Sequence, residues 1–280
     1  MIEPTAKQCK NLSRTQGEVA LAQFFAVKDR DAFERYLNAS GSAVSQHDGR
    51  RRHQCHIDQI LAGGSMAYDA VLVDTFPSGE SALQAFDANR DERAAAVVEA
   101  YILVVKPAGD GLFKAARYLG VLSPIVSRIL GTTSERPLPE DGKWNPNTGP
   151  VPETIASFKK DDQTTPFFMM NLNKYYTSAL YTDGENISGE RAYARYANRI
   201  MPYLISVGGY PALMGQVAVV FAGDETSPLH DEWSEFAMVY YPSRQVFLRM
   251  MTNSPTKGVH HREAGLERAV LMPSTEWPLA

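Results

Sequence analysis

At 280 residues the chain exceeds the usual size of one domain, so two units of roughly 100 residues with connecting segments are the first expectation. Hydrophobic residues at 44% and charged residues at 21% exclude disorder, a fibrous repeat and a membrane bundle. A formal charge of -4, with one short basic run at Arg50–Arg52, supplies no field for a polyphosphate backbone, and no nucleic-acid partner is expected.

Residues 1–16 mix charged and polar side chains without the apolar run of a secretory signal, which reads as an N-terminal tail on a cytoplasmic protein. Cys9 and Cys55, the only cysteines, make neither a disulfide framework nor a Cys-rich zinc site. Glu18–Val27 is a short apolar run of strand formers, followed by the helical spacing of Phe33, Tyr36 and Leu37. Asp48-Gly49 breaks the chain, and Arg50–Leu61 and Tyr68–Phe76 read as strands. A second helix fits Glu80–Glu99, with Val97 and Val98 on its apolar side, and Tyr101–Val105 makes the last strand before Pro107. The order is β-α-β-β-α-β.

The same order recurs as Pro166–Tyr175, a helix over Gly189–Val207, Tyr210–Phe221, Glu235–Tyr241, a helix starting near Pro242-Ser243, and Glu267–Met272. Asp48-Gly49 sits where Gly208-Gly209 does, and Phe76-Pro77-Ser78 where Tyr241-Pro242-Ser243 does. The fold class is therefore α+β, with ferredoxin-like repeats at 17–107 and 166–280 (the latter including a C-terminal tail). Each antiparallel sheet carries helices on one face, and its bare face needs cover that the other copy can provide.

Between the repeats, 108–165 is too long for a plain connection. Leu112–Leu130 has the spacing of an amphipathic helix, which Pro124 can kink and Gly131 can stop. Lys114, Arg117 and Arg128 interrupt it, so it does not span a membrane, and membrane contact is not the expected role. Thr132–Pro152 is rich in proline and should run extended, and Glu153–Lys159 is a short helix.

The strand PFFMMNLNKY, the helix ERAYARYANRIMPY before Gly208-Gly209, the segment WSEFAMVYYPS, and His260-His261-Arg262 with Ala264, Gly265 and Leu266 carry a family resemblance. On these residues the second half resembles the dimeric α/β-barrel superfamily, in its uncharacterised branch of small domains of unknown function. The resemblance implies an internal pseudo-dimer, an intramolecular dimeric α/β barrel whose sheets enclose a ligand-sized space. Relatives include cofactor-free monooxygenases, lactone isomerases, polyketide cyclases and haem enzymes, so the fold selects no chemistry.

Strand alternation puts Asn171 and Asn173 on one face with Phe167, Met169 and Tyr175, and puts Phe168, Met170 and Leu172 on the other. The all-apolar face is expected to meet the helices, leaving Asn171 and Asn173 to orient a ligand between the sheets. His260 and Arg262 are the expected catalytic pair, since imidazole shuttles protons near neutral pH and guanidinium holds a carboxylate or enolate. His261 points away from the apolar side and reads as a solvated or interface residue. In the first repeat His56 shares a strand face with Asp58 and is the third catalytic candidate. Tyr240 and Gln216 complete the substrate-binding set, while Tyr193, Tyr196 and Tyr203 are assigned to packing. A His–carboxylate pair without a third ligand gives no metal site, and no Walker loop, nucleophile elbow or dinucleotide fingerprint is visible.

The functional expectation is an enzyme using no cofactor, acting on a small apolar or aromatic oxygenated molecule in the barrel interior by proton transfer or cofactor-independent monooxygenation. The alternatives are a non-catalytic small-molecule binding protein and a haem-binding barrel, although no histidine sits in a recognisable proximal-ligand motif. Further homo-oligomerisation is left open.

Overall fold

The computed structural model describes residues 3–65, 67–109, 118, 123–130, 145–253 and 258–277. In chain order the elements are α1 (Ala6–Ser13), β1 (Val19–Val27), α2 (Arg30–Gln46), β2 (Arg50–Ile57), β3 (Ala70–Phe76), α3 (Gly79–Asp87), α4 (Arg90–Ala96) and β4 (Val97–Pro107). There follow α5 (Ser123–Leu130), α6 (Pro152–Lys160), β5 (Phe167–Tyr175), α7 (Gly189–Ser206), β6 (Tyr210–Ala222), β7 (Glu235–Tyr241), α8 (Arg244–Asn253), α9 (Val259–Gly265) and β8 (Leu266–Glu276).

The strands close into one barrel in the order β1-β3-β2-β8-β5-β7-β6-β4, every pair antiparallel. Each half contributes a ferredoxin-like sheet, β4-β1-β3-β2 and β8-β5-β7-β6. The two seams are β2 with β8, where Cys55 faces Glu276, and β4 with β6, where Val104 faces Val219. Closure removes the sheet edges that a single repeat would expose.

The register makes the two repeats comparable residue by residue. Val19 pairs with Phe76 as Phe167 pairs with Tyr241, so Gln23 corresponds to Asn171, Phe25 to Asn173, Ala70 to Glu235 and Asp74 to Val239. A bulge between Arg51 and His53 recurs between Pro211 and Leu213. Val97 lies opposite Val27 as Leu266 lies opposite Tyr175, which equates Arg93 with Arg262. The turns also match: Asp48 (φ 57) and Gly208 (φ 77) both take the left-handed conformation that ends a helix. A Cβ on the following Gly49 would strike the Phe76 ring, and one on Gly209 would strike Leu204.

The barrel interior is filled by side chains from both halves. Phe24, Tyr101 and Leu103 from the first meet Phe236, Met238, Met170 and Leu172 from the second, all within 1% of full burial. Burying a side chain of this size is worth about 1.5–3 kcal/mol, so this shared interior binds the halves together. A second core lies between the first sheet and α2–α4, and a third between the second sheet and α6–α8.

Three expectations change. The apolar face of β5, Phe168, Met170 and Leu172, joins the barrel interior, while Met169 joins the helix-side core. The expected assignment of the two faces is thus reversed, because the opposing sheet is the drier cover. The long second helix of repeat one is two helices, α3 and α4, and Val97 and Val98 already belong to β4. Residues 1–16 also contain a helix, α1, with a capping box between Thr5 and Gln8 and a fully buried Leu12. Glu3 before it pairs with the buried Arg93 at 2.8 Å.

In the linker, α5 docks through the Ser127 hydroxyl, which donates to the Ser206 carbonyl of α7 (3.1 Å). Most of the Leu112–Leu130 helix expected upstream of α5, and of the proline-rich Thr132–Pro152 segment, lies outside the described residues. Among the described residues no helix is long and apolar enough to cross a membrane.

Candidate functional site

Asn171, Asn173 and Arg262 come together on the outer face of the second sheet, beneath the helices. They line a cavity of about 100 Å³. Its floor is Met169, Asn171 and Asn173 of β5 with Tyr241 and Leu271 of β7 and β8. Tyr193, Tyr196, Arg199 and Ile200 of α7 cover it, Phe247, Met250 and Met251 of α8 close one side, and Val259 and Arg262 of α9 another, with Pro150 from the linker.

The polar atoms of the floor are tied down. Asn171 donates through Nδ2 to the carbonyls of Met169 (3.0 Å) and Ala237 (3.3 Å). Asn173 donates through Nδ2 to Glu235 Oε2 (2.9 Å), and the Tyr175 hydroxyl donates to the same oxygen (2.7 Å). Burial pushes the Glu235 carboxyl above its ordinary range, although both of these bonds pull it down. Burial likewise raises the phenols of Tyr193 and Tyr196, and Tyr193 also contacts Asn173. Arg262 is buried, with Nη2 donating to the Thr148 carbonyl of the linker and Nη1 3.2 Å from Glu263 Oε1. With Arg199 of α7 it gives the cavity two cationic side chains among methionine, aliphatic and aromatic ones.

The corresponding space in repeat one is closed to about 10 Å³. Gln23, the counterpart of Asn171, donates to Asp74 (2.8 Å), which is held by Arg51 Nε (2.9 Å). The same Arg51 donates to Ser40 and to the Leu37 carbonyl of α2, lacing sheet to helix. Phe25 and Phe33 pack edge to face at 5.9 Å where repeat two has Asn173 and Tyr193. Arg93, the counterpart of Arg262, lies 3.5 Å over the Phe86 ring.

The remaining sequence candidates lie elsewhere. His260 is exposed and does not line the cavity. His261, expected to be solvated or at an interface, is buried with Nδ1 2.6 Å from the Tyr181 hydroxyl, because α9 turns that face toward the 176–188 loop. Burial, then His260, Arg199 and Arg195, hold its pKa below the ordinary value. His56 stacks on Trp277 at 3.5 Å and does not meet Asp58, which instead accepts from Arg244 and Thr275, both at 2.7 Å. Tyr240 packs on Tyr210 (4.8 Å) and Phe168 (5.6 Å) at the barrel interior, on the opposite face from Asn171. Gln216 is exposed on β6, opposite Lys106 and Glu235. Among the described residues no three His, Cys, Asp or Glu are grouped to hold a metal ion.

Sequence reasoning assigned Tyr193 and Tyr196 to packing and passed over Glu235. The signal for Glu235 was a carboxylate at the head of the otherwise apolar strand EFAMVYY.

No family model matches the chain, and no curated protein does. Among solved structures it is similar to methylated RPA0582 protein, with 29% identity over 47% of this chain and 93% of that one, TM-score 0.41. A second structure, RPA0582 from Rhodopseudomonas palustris, a protein of unknown function, gives 28% identity over 48% and 98%, TM-score 0.42. Chlorite dismutase from Candidatus Nitrospira defluvii in complex with imidazole gives 11% identity over 98% of this chain and 96% of that one, TM-score 0.46. The fold stands on the strand order and register of the chain itself, and these likenesses add nothing to its chemistry.

Proposed function

We propose that the chain binds a small, largely apolar or aromatic oxygenated molecule between the second sheet and α7–α9. The ligand's acidic or carbonyl oxygen lies toward Arg262 and its body rests against Met169, Tyr196, Phe247 and Met250. One observation carries this reading: the same layer is sealed by an ion-paired network in repeat one and stands open, with polar atoms in its floor, in repeat two. A mainly apolar cavity with a few converging polar groups is the usual form of a small-molecule site.

Proton transfer on the bound molecule is a second reading, favoured by the raised carboxyl of Glu235 directly behind Asn173. It moves the acid–base role from the histidines to Glu235, which is coupled to the cavity floor through the hydrogen bond from Asn173, whereas His260 is exposed and His56 stacks on Trp277. Calorimetric titration with small oxygenated aromatic and alicyclic acids tests the binding. Saturable binding by the wild type that Asn171→Leu weakens about tenfold or more is the expected outcome. Binding indifferent to Asn171→Leu overturns it. Loss of deuterium from a labelled bound acid into water, abolished by Glu235→Gln, separates the catalytic reading from simple binding.

A further inference from the structure

The orientation of the two floor amides is set by chemistry. A backbone carbonyl only accepts, so the Asn171 group facing the carbonyls of Met169 and Ala237 has to be its NH2. A carboxylate only accepts as well, so the Asn173 group facing Glu235 is also its NH2, and the Tyr175 hydroxyl donating to the same oxygen holds that carboxylate in place. Both amides thereby keep their carbonyl oxygens, Oδ1, for the side that lines the cavity. Gln23, at the position of Asn171, spends its amide on Asp74 inside its own repeat.

Resting on the binding site proposed above, we infer that the cavity takes a molecule that donates hydrogen bonds to its floor. The ligand class is a hydroxylated aromatic or alicyclic acid, with its hydroxyl donating to Asn171 Oδ1 or Asn173 Oδ1 and its acid group toward Arg262. A ligand without the donor leaves that desolvated acceptor unpaired, and a site built to bond a hydroxyl rejects such an analogue strongly. Glu235 is a positioning residue here, acting through the amide of Asn173.

The test compares 3- and 4-hydroxybenzoate with 3- and 4-fluorobenzoate, which match the hydroxyl in size and lack its proton. Calorimetric titrations use the wild type, Asn171→Leu, Glu235→Leu and Glu235→Gln. The wild type is expected to prefer a hydroxyl member by about tenfold or more. Glu235→Leu should cut that ratio at least about threefold, since Asn173 is released to rotate, and Glu235→Gln should restore most of it by accepting through its own amide oxygen. Reading a ratio, instead of an affinity, cancels any general loosening of the cavity. Equal binding of hydroxyl and fluoro members, with both weakened by Asn171→Leu, overturns the donor inference and leaves the site in place. Saturable binding by no member of the panel overturns the site, and the inference with it.

Discussion

The helix-facing layers of the two repeats start from one backbone and reach opposite ends. In repeat one Arg51 and the buried Asp74 and Gln23 form a network that laces sheet to α2, and Phe25 packs on Phe33 and Tyr36. In repeat two the counterparts of Arg51 and Asp74 are Pro211 and Val239, which cannot bridge, and Asn173, Tyr193 and Glu235 replace apolar partners. A repeated unit can therefore close one layer with an ion-paired network and leave a cavity in the other. The barrel interior between them is filled from both sides.

The largest effect should come from breaking the closed layer. Asp74→Ala leaves the largely covered Arg51 without its carboxylate, and stability should fall by about 3 kcal/mol in urea denaturation. A loss under 1 kcal/mol, on the scale of an exposed pair, would show that the network is not what seals repeat one.

His53 marks a second contrast, since its counterpart is Leu213. Its ring lies 4.5 Å from Phe168, and burial, with Arg52 and Arg50 beside it, lowers its pKa to about 4. The unfolded chain takes up a proton near pH 6.5 and the folded one does not, so stability is full above that value. It is lost progressively as pH falls to about 4, by roughly 3 kcal/mol in all. His53→Leu should flatten this dependence, and an unchanged profile would assign it to other groups.

Converting the open layer toward the closed one is expected to act on binding. The triple change Asn173→Phe, Tyr193→Phe and Glu235→Ala should weaken binding of the hydroxybenzoates about tenfold or more while the melting temperature holds or rises. A folded triple variant that binds as well as the wild type would detach the ligand from this layer. His260→Ala should have the smallest effect, within about twofold on affinity, because the imidazole is exposed and off the cavity wall.

Much of the fold was legible because strand runs, breakers and turn residues recur at matched places: Asp48-Gly49 and Gly208-Gly209 obey the same backbone requirement. Part of the cavity's lining was legible too, since Asn171 and Asn173 interrupt the otherwise apolar strand FFMMNLNKY. Which way β5 faces was not. Alternation separates two faces without saying which meets helices, and the more apolar face went to the barrel because both halves dehydrate it. Where His260 and His261 point relative to Arg262 was not legible for a related reason. On a short helix such as α9, neighbours in sequence point in different directions, and only Arg262 among them lines the cavity.

The face of β5 also supplies the most direct test, because Met169 and Met170 are adjacent and point to opposite sides of the sheet. Methionine methyl resonances, assigned by single substitution, can be followed while 4-hydroxybenzoate is titrated in. Ligand in the helix layer should shift Met169, Met250 and Met251 and leave Met170, Met238 and Met272 in place. Saturable shifts confined to Met170, Met238 and Met272 would put the ligand inside the barrel and contradict the account.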